Sequence, residues 1–159
     1  MLVHSARVAV GWVPDMTILV VDDEPFLAEL VQEILEAKGH RCVLARSAGD
    51  ADAVLAVEPV DGMVVDLHMP GRNGLEWLEQ ISLLNSDLVH RTLVITGSDL
   101  SPETYARTRR CGADLLPKPF RIEDLVDAVS RRLNSKERFV VKKTFPFRGL
   151  PDPEDESET

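Results

Sequence analysis

Short strand-like runs alternate with segments of helical periodicity along the middle of this chain, and this alternation restricts the possible folds more than any other feature. The strand-like runs cover residues 17–21, 41–45, 62–65, 92–96 and 113–116. The first of them, TILVV, is β-branched or apolar throughout, which is typical of a strand covered on both faces of a parallel sheet. We therefore expect a sheet that is buried between layers of helices.

Amphipathic segments follow these runs. In residues 25–38 the apolar positions recur every three or four residues, Pro25 suits a first helical turn, and Gly39 suits the position after the last turn. Further helices are predicted over residues 48–57, 74–84 and 122–133, with another beginning at Ser101-Pro102-Glu103. Five strand–helix repeats predict an α/β fold with right-handed crossovers: a five-stranded parallel doubly wound sheet flanked by five helices.

Charge divides the chain into three parts. Residues 1–16 are neutral, residues 17–133 carry 20 acidic and 12 basic residues, and residues 134–159 are first basic, with Phe139, Phe145 and Phe147, and then acidic. We predict an extension over 1–16, one domain over 17–133, and a tail over 134–159 that is partly disordered and contains no output domain. The stretch FVVKKTF in this tail alternates well enough to add a strand to a sheet edge, or it is a tail without a function.

Composition excludes several classes of protein. The net charge of −9 argues against a nucleic-acid partner. The sequence has neither an apolar run near 18 residues nor the layout of a secretory leader, so we expect a cytoplasmic protein without membrane contact. Cys42 and Cys111 are too few for a disulfide framework and are expected to be reduced.

Polar residues stand at the ends of the predicted strands, where doubly wound sheets bind their ligands. Asp22 and Asp23 follow the first strand, Asp66 the third, Thr96 ends the fourth, and Lys118 follows the fifth. Three carboxylates at one edge repel each other, and a Mg²⁺ ion would relieve this repulsion. Because an aspartate can be a nucleophile and a lysine and a hydroxyl suit a phosphoryl group, the pattern predicts phosphoryl transfer to a carboxylate.

Four motifs occur in order across residues 17–133: DDEP at 22–25, DLHMPGRNG at 66–74, TGS at 96–98 and KPF at 118–120. Together they resemble the receiver domain of two-component response regulators, with its flavodoxin-like fold, and in particular the stand-alone, chemotaxis-regulator-like receivers. The resemblance implies that Asp66 is the phospho-acceptor. It also implies that Asp22, Asp23, Asp66 and the backbone carbonyl of His68 hold Mg²⁺.

The same resemblance assigns the residues that respond to phosphorylation. It implies that Thr96 is the switch hydroxyl, that Lys118 pairs with the phosphoryl group and that the peptide bond before Pro119 is cis. Gly97 corresponds to the small residue that keeps the space beside the threonine open. The chain departs from the family pattern at Leu115, which stands where receivers usually carry Tyr or Phe, so coupling between the threonine and an aromatic ring is in question.

The resemblance also implies partners. The chain would receive its phosphoryl group from a sensor histidine kinase or a histidine phosphotransferase, catalyse only its own phosphorylation and dephosphorylation, and signal to an unidentified protein as a monomer or weak dimer. One alternative is an interaction-only pseudo-receiver, for which Leu115 is the argument. A phosphatase of the dehalogenase type is disfavoured, because that family needs a second aspartate where His68 stands. Arg107, Arg109 and Arg110 form either a solvated face or a partner patch.

Overall fold

Strands and helices alternate in the computed structural model, which describes residues 16–69, 71–97 and 100–133. The elements are β1 (Thr17–Val21), α1 (Pro25–Ala37), β2 (Arg41–Ala45), α2 (Ala48–Val57), β3 (Gly62–Asp66), α3 (Gly74–Leu84), α4 (Ser86–His90), β4 (Thr92–Thr96), α5 (Pro102–Cys111), β5 (Asp114–Pro117) and α6 (Ile122–Leu133). The five strands form one parallel sheet in the order β2-β1-β3-β4-β5. The predicted α/β doubly wound fold is confirmed.

The structure corrects the predicted number of helices, since six rather than five lie in the described part of the chain. The additional helix, α4, has one turn of five residues, too short for helical periodicity to show in the sequence. Asn85 ends α3 and its side chain accepts a hydrogen bond from Leu88 N at 3.1 Å, so one residue both stops a helix and begins the next. Smaller corrections extend β3 to Asp66 and shift β5 by one residue, to Asp114–Pro117.

Two apolar cores lie on the two faces of the sheet. One face packs against α2, α3, α4 and α5, with Trp77 and Leu78 of α3 in its core, and the other packs against α1 and α6. This two-sided burial explains why the strand sequences lack a polar face. None of the helices among the described residues is both long enough and apolar enough to cross a membrane.

A buried ion cluster joins the last helix to the amino end of β5. The carboxylate of Asp114 lies 2.9 Å from Arg109 Nη1 and 3.4 Å from Arg132 Nη2. Arg132 Nη1 also donates to the backbone carbonyls of His90 and Gly112, both at 3.1 Å. The guanidinium of Arg132 therefore caps the ends of α4 and α5, and desolvation of this buried group lowers its pKa although Asp114 acts in the opposite direction.

Replacing Asp114 with alanine is expected to lower the free energy of unfolding by about 3 kcal/mol, because it leaves the buried Arg132 cation without its carboxylate. Urea unfolding followed by circular dichroism would measure this loss. The matched control is Asp124→Ala, which breaks an exposed pair with Arg121 and should change the midpoint little. Equal midpoints for Asp114→Ala and the wild type would contradict a stabilising role for the cluster.

Candidate functional site

The strand register brings the predicted polar residues to one edge of the sheet. Val21 pairs with Val65, so the residues that follow them, Asp22 and Asp66, come next in adjacent strands. On the other side, Asp66 pairs with Ile95, one residue before Thr96. Thr96 pairs with Pro117, which precedes Lys118. The register of β1, β3, β4 and β5 thus places two carboxylates, a hydroxyl and an ammonium group at the carboxyl edge of the sheet, where α/β sheets bind ligands.

Asp66 is buried at the end of β3, and donors hold both of its carboxylate oxygens. Lys118 Nζ lies 2.7 Å from Oδ2, and the backbone N–H of His68 donates to Oδ1 at 2.9 Å. His68 itself is an exposed residue. The structure therefore places the two residues with the predicted chemistry, the aspartate and the lysine, in direct contact.

Asp22 is a second buried carboxylate, and its environment opposes its negative charge. Burial raises the pKa of Asp22 to about 6, and the charges of Asp66 and Asp23 act in the same direction. The backbone N–H of Glu24, 2.9 Å from Oδ1, and the Lys118 ammonium lower the pKa only in part. Asp23, in contrast, is exposed. In the metal-free protein, neighbouring negative charges thus repel the Asp22 carboxylate, and a bound cation would remove this repulsion.

The donor chemistry of this edge fits a Mg²⁺ ion. Mg²⁺ binds oxygen ligands, usually one or two carboxylates together with water molecules. The buried Asp22 supplies one carboxylate, and the charges of Asp66 and Asp23 act together with its burial against its ionisation. No three His, Cys, Asp or Glu side chains of the described residues form a group that could hold a metal ion, so the predicted ligand set stays a prediction.

Thr96 has a hydroxyl with unused hydrogen-bonding capacity. Its Oγ1 is buried and has no hydrogen-bond partner among the described residues. Its backbone carbonyl accepts a hydrogen bond from Lys118 N at 3.0 Å, which links the ends of β4 and β5. A buried hydroxyl without a partner is costly, and a ligand oxygen would offset that cost.

The backbone beside Lys118 follows the predicted pattern, since the peptide bond between Lys118 and Pro119 is cis. Gly97 is exposed, and a Cβ atom built there would lie 3.5 Å from Lys118 Cβ, an ordinary van der Waals contact, so the role assigned to Gly97 stays a prediction. Leu115 lies in β5, three residues before Lys118, and its side chain is fully buried in the core. It has neither a ring nor a hydroxyl to present at the surface.

Contacts that the motifs did not indicate position the loop after Asp66. Asp52 on α2 accepts hydrogen bonds from Arg72 Nη1 at 2.7 Å and from Trp77 Nε1 at 2.8 Å, and so ties this loop to two helices. Gly74 begins α3 so close to the loop that an added Cβ would lie 2.6 Å from the Leu67 carbonyl oxygen. Asp52 and Arg72 are 20 positions apart, and no local pattern in the sequence indicates their contact.

The arginines of α5 are mostly engaged within the domain. Arg107 forms an ion pair with Glu79, and Arg109 pairs with the buried Asp114. Arg110 is exposed. This pairing weakens the alternative that the three side chains form one basic patch for a partner. Pro70 and Ser98 of the motifs lie outside the described residues, as do the predicted extension before residue 16 and the predicted tail after residue 133.

Comparisons with known families and proteins match nearly all of the part of the chain that the structure describes. A family model for the response regulator receiver domain matches residues 18–130. The chain is 32% identical over 156 residues to the sensory/regulatory protein RpfC of Xanthomonas campestris pv. campestris, a match that covers 94% of this chain and 21% of RpfC. It is also 32% identical over 136 residues to the response regulator MprA of Mycobacterium sp., covering 86% of this chain and 55% of MprA. The chain thus spans about a fifth and about half of these two relatives.

Solved structures give the same result. The CheY-like receiver domain protein from Methanospirillum hungatei superposes with a TM-score of 0.71 at 27% identity, covering 79% of this chain and 98% of that one. The non-phosphorylated HemR receiver domain from Leptospira biflexa superposes with a TM-score of 0.67 at 27% identity, covering 84% of this chain and 100% of that one.

Proposed function

This chain belongs to the response regulator receiver domain family, and on that premise we propose that it accepts a phosphoryl group on Asp66. Receiver domains are signalling modules rather than classical enzymes, and they interact with histidine kinases or phosphotransfer proteins. The proposed donor is accordingly a phosphohistidine of such a protein. The proposed output is binding to another protein, or onward transfer in a phosphorelay.

One observation carries the proposal: the 2.7 Å contact between Lys118 Nζ and Asp66 Oδ2 at the carboxyl edge of the sheet. A carboxylate nucleophile needs to be held with its lone pairs toward the donor, and the incoming phosphoryl oxygens need positive charge. Lys118 meets both needs. It orients the Asp66 carboxylate in the unphosphorylated protein, and its positive charge would lie beside the phosphoryl oxygens after transfer. A purely structural ion pair would not require an unpartnered hydroxyl and a second buried carboxylate nearby.

The chemical step is a direct displacement at phosphorus. An Asp66 carboxylate oxygen attacks the phosphoryl group of the donor, the phosphorus–nitrogen bond to the donor imidazole breaks, and an aspartyl phosphate forms. The backbone N–H of His68 holds the other carboxylate oxygen in place during the attack. A Mg²⁺ ion bound by Asp22, Asp23, Asp66 and the His68 carbonyl would neutralise charge on the transferring oxygens.

Thr96 supports a role for the phosphorylated state in signalling. Its buried Oγ1 gains a hydrogen-bond acceptor when a phosphoryl oxygen is present, so the hydroxyl favours the phosphorylated arrangement. The alternative is a pseudo-receiver that binds its target regardless of phosphorylation. The residue that supports this alternative is Leu115, which is buried and has no aromatic ring. It therefore cannot make the movement of a Tyr or Phe ring that is usual in the family. Target binding that is identical for the phosphorylated and unphosphorylated protein would favour this alternative.

Intact-mass spectrometry tests the proposal directly. The protein would be incubated with a small phosphodonor such as acetyl phosphate, once with Mg²⁺ and once with a chelator. We expect the mass of one phosphoryl group to be added only with Mg²⁺, and peptide mapping to place it on the peptide that contains Asp66. An adduct on another peptide, or no adduct at any Mg²⁺ concentration, would overturn the proposal.

Replacing Asp22 with asparagine is expected to stabilise the metal-free protein at pH 7 by on the order of 2 kcal/mol. Because folding raises the pKa of Asp22 to about 6, its contribution to stability is greatest at low pH and is lost as the pH rises through 6. Asparagine avoids this loss and can still accept the hydrogen bond from Glu24 N. Thermal unfolding with and without Mg²⁺ measures both effects, since the variant should also lose stabilisation by the ion.

The exposed Asp23 provides the matched control for this substitution. Asp23→Asn removes the same charge from the neighbouring position, and the midpoint of the metal-free protein should change little. An unchanged or lower thermal-unfolding midpoint of Asp22→Asn at pH 7 would show that burial of the Asp22 carboxylate does not destabilise the metal-free protein.

A further inference from the structure

Three apolar side chains at the ends of α2 and α3 are almost completely exposed. Val57 is 85% exposed, Leu83 is 88% exposed and Leu84 is 83% exposed. We call these three residues the helix-end patch. Single exposed apolar side chains are ordinary, but three at the ends of two neighbouring helices form a surface that a partner can cover.

The patch lies at the edge of the sheet opposite the phosphorylation site. All five strands are parallel, so the helices that connect them run in the opposite direction and end at the amino edge of the strands. The two helices lie on the same face of the sheet, since Trp77 Nε1 on α3 donates to Asp52 Oδ1 on α2 at 2.8 Å. Val57 and Leu84 therefore occupy the same end of adjacent helices.

The last helix ends at this same edge. An added Cβ on Gly62 would lie 2.7 Å from Leu133 Cδ2 and 2.8 Å from the Arg91 carbonyl oxygen, so Leu133 packs where β3 begins and β4 is about to begin. Gly62 is five residues beyond Val57, and Arg91 is seven residues beyond Leu84. The chain that continues after Leu133 thus starts at the same edge of the sheet as the patch, on the opposite face.

We propose that residues 139–147 of this chain, FVVKKTFPF, dock on the helix-end patch. Five of these nine residues are apolar, Phe139, Val140, Val141, Phe145 and Phe147, and they can cover aliphatic side chains. The two lysines between them complement a domain whose residues 17–133 hold 20 acidic and 12 basic residues.

The length of the connection fits this docking. Residues 134–138 join Leu133 to Phe139. Because α6 and α3 cover opposite faces of the sheet, the tail has to pass two layer spacings of about 10 Å each, and the six steps from Leu133 to Phe139 span about 20 Å when extended. The contact is intramolecular, so the tail is present at high effective concentration and even a modest apolar contact is populated.

Hydrogen exchange followed by mass spectrometry on the full chain tests the proposal. The variants are Leu83→Ser/Leu84→Ser in the patch, Phe139→Ser/Phe145→Ser in the tail, and the combination of the four changes. We expect the patch variant to accelerate exchange of residues 139–147 by about fivefold or more, and the tail variant to accelerate exchange at the end of α3 to a similar extent. In the combined variant, residues 139–147 should exchange no faster than in the patch variant, and the end of α3 should exchange no faster than in the tail variant.

Phe26 provides the matched control. It is 76% exposed but lies at the start of α1, at the opposite edge of the sheet, so Phe26→Ser should leave exchange of 139–147 unchanged. Tail exchange that is identical in the patch variant and the wild type would overturn the proposal. Protection that rises with protein concentration, together with a doubled mass in light scattering, would also overturn it, because the patch would then contact a second copy.

Discussion

Replacing Asp66 with asparagine is expected to abolish the phosphoryl adduct of this protein. Asparagine keeps the size of the side chain and can still accept the hydrogen bond from His68 N, but its amide is not a nucleophile toward phosphorus. The expected loss is complete rather than partial, because no other buried carboxylate is in contact with Lys118 in the described residues. Intact-mass spectrometry after incubation with Mg²⁺ and acetyl phosphate measures the modified fraction.

Asp127→Asn is the control for this change, since Asp127 is exposed on α6 and the substitution removes the same charge. We expect the control to be modified at the wild-type rate. An adduct that persists in Asp66→Asn would identify a different nucleophile. A wild type that binds Mg²⁺ but forms no adduct would instead support the pseudo-receiver, and attention would turn to the partner-binding surfaces.

Much of the fold could be predicted because each element carries its own signal. TILVV and TLVIT are buried on both faces, so their apolar composition alone indicates central strands, and they begin and end where expected. Ser101 caps α5 by accepting a hydrogen bond from Thr104 N at 3.1 Å, as the Ser-Pro-Glu pattern predicted. Gly39 follows α1 with a φ of 92°, as predicted for the residue after a helix.

Features that depend on long-range contacts could not be predicted. The helix α4 depends on the burial of Leu88 and Val89 in the core on one face of the sheet, whereas its local sequence resembles a loop. Arg132 looks like a solvent-exposed residue of an amphipathic helix, yet its guanidinium is buried on Asp114. Both cases concern partners that are brought together only when the sheet has formed.

The meeting of the polar strand ends at one edge could be predicted from the sequence, but the electrostatics of that edge could not. The position of Asp22 and Asp66 after two strands indicates that they meet, because parallel strands end at one edge. The sequence did not indicate that Asp22 would be buried and Asp23 exposed, although they are neighbours. Asp22 directly follows β1 and is buried, whereas Asp23 lies in a bend and is exposed, and the pKa of Asp22 is raised chiefly by its burial.

Replacing Lys118 with methionine is expected to slow phosphorylation by a small donor by about 10²- to 10³-fold. Methionine keeps the length of the stem but removes the only cation that contacts Asp66 in the described residues, 2.7 Å from Oδ2. The carboxylate then loses its orientation, and the oxygens of the incoming phosphoryl group lose a compensating charge. A time course of adduct formation by intact mass, at a donor concentration well below saturation, gives the ratio of rates.

Lys38→Met is the matched control, because Lys38 is exposed at the end of α1 and the same atoms are exchanged away from the site. Lys118→Arg separates charge from geometry: it restores a cation, but a planar guanidinium on a longer stem cannot place a single N–H where Nζ lies, so we expect only partial recovery. A Lys118→Met variant that is folded and phosphorylated at the wild-type rate would show that the contact with Asp66 is structural. Asp66→Asn tests the nucleophile, and Lys118→Met tests its activation. If the phosphoryl adduct is lost in Asp66→Asn but forms normally in Lys118→Met, the proposed phosphorylation site stands and only the role assigned to the lysine is rejected.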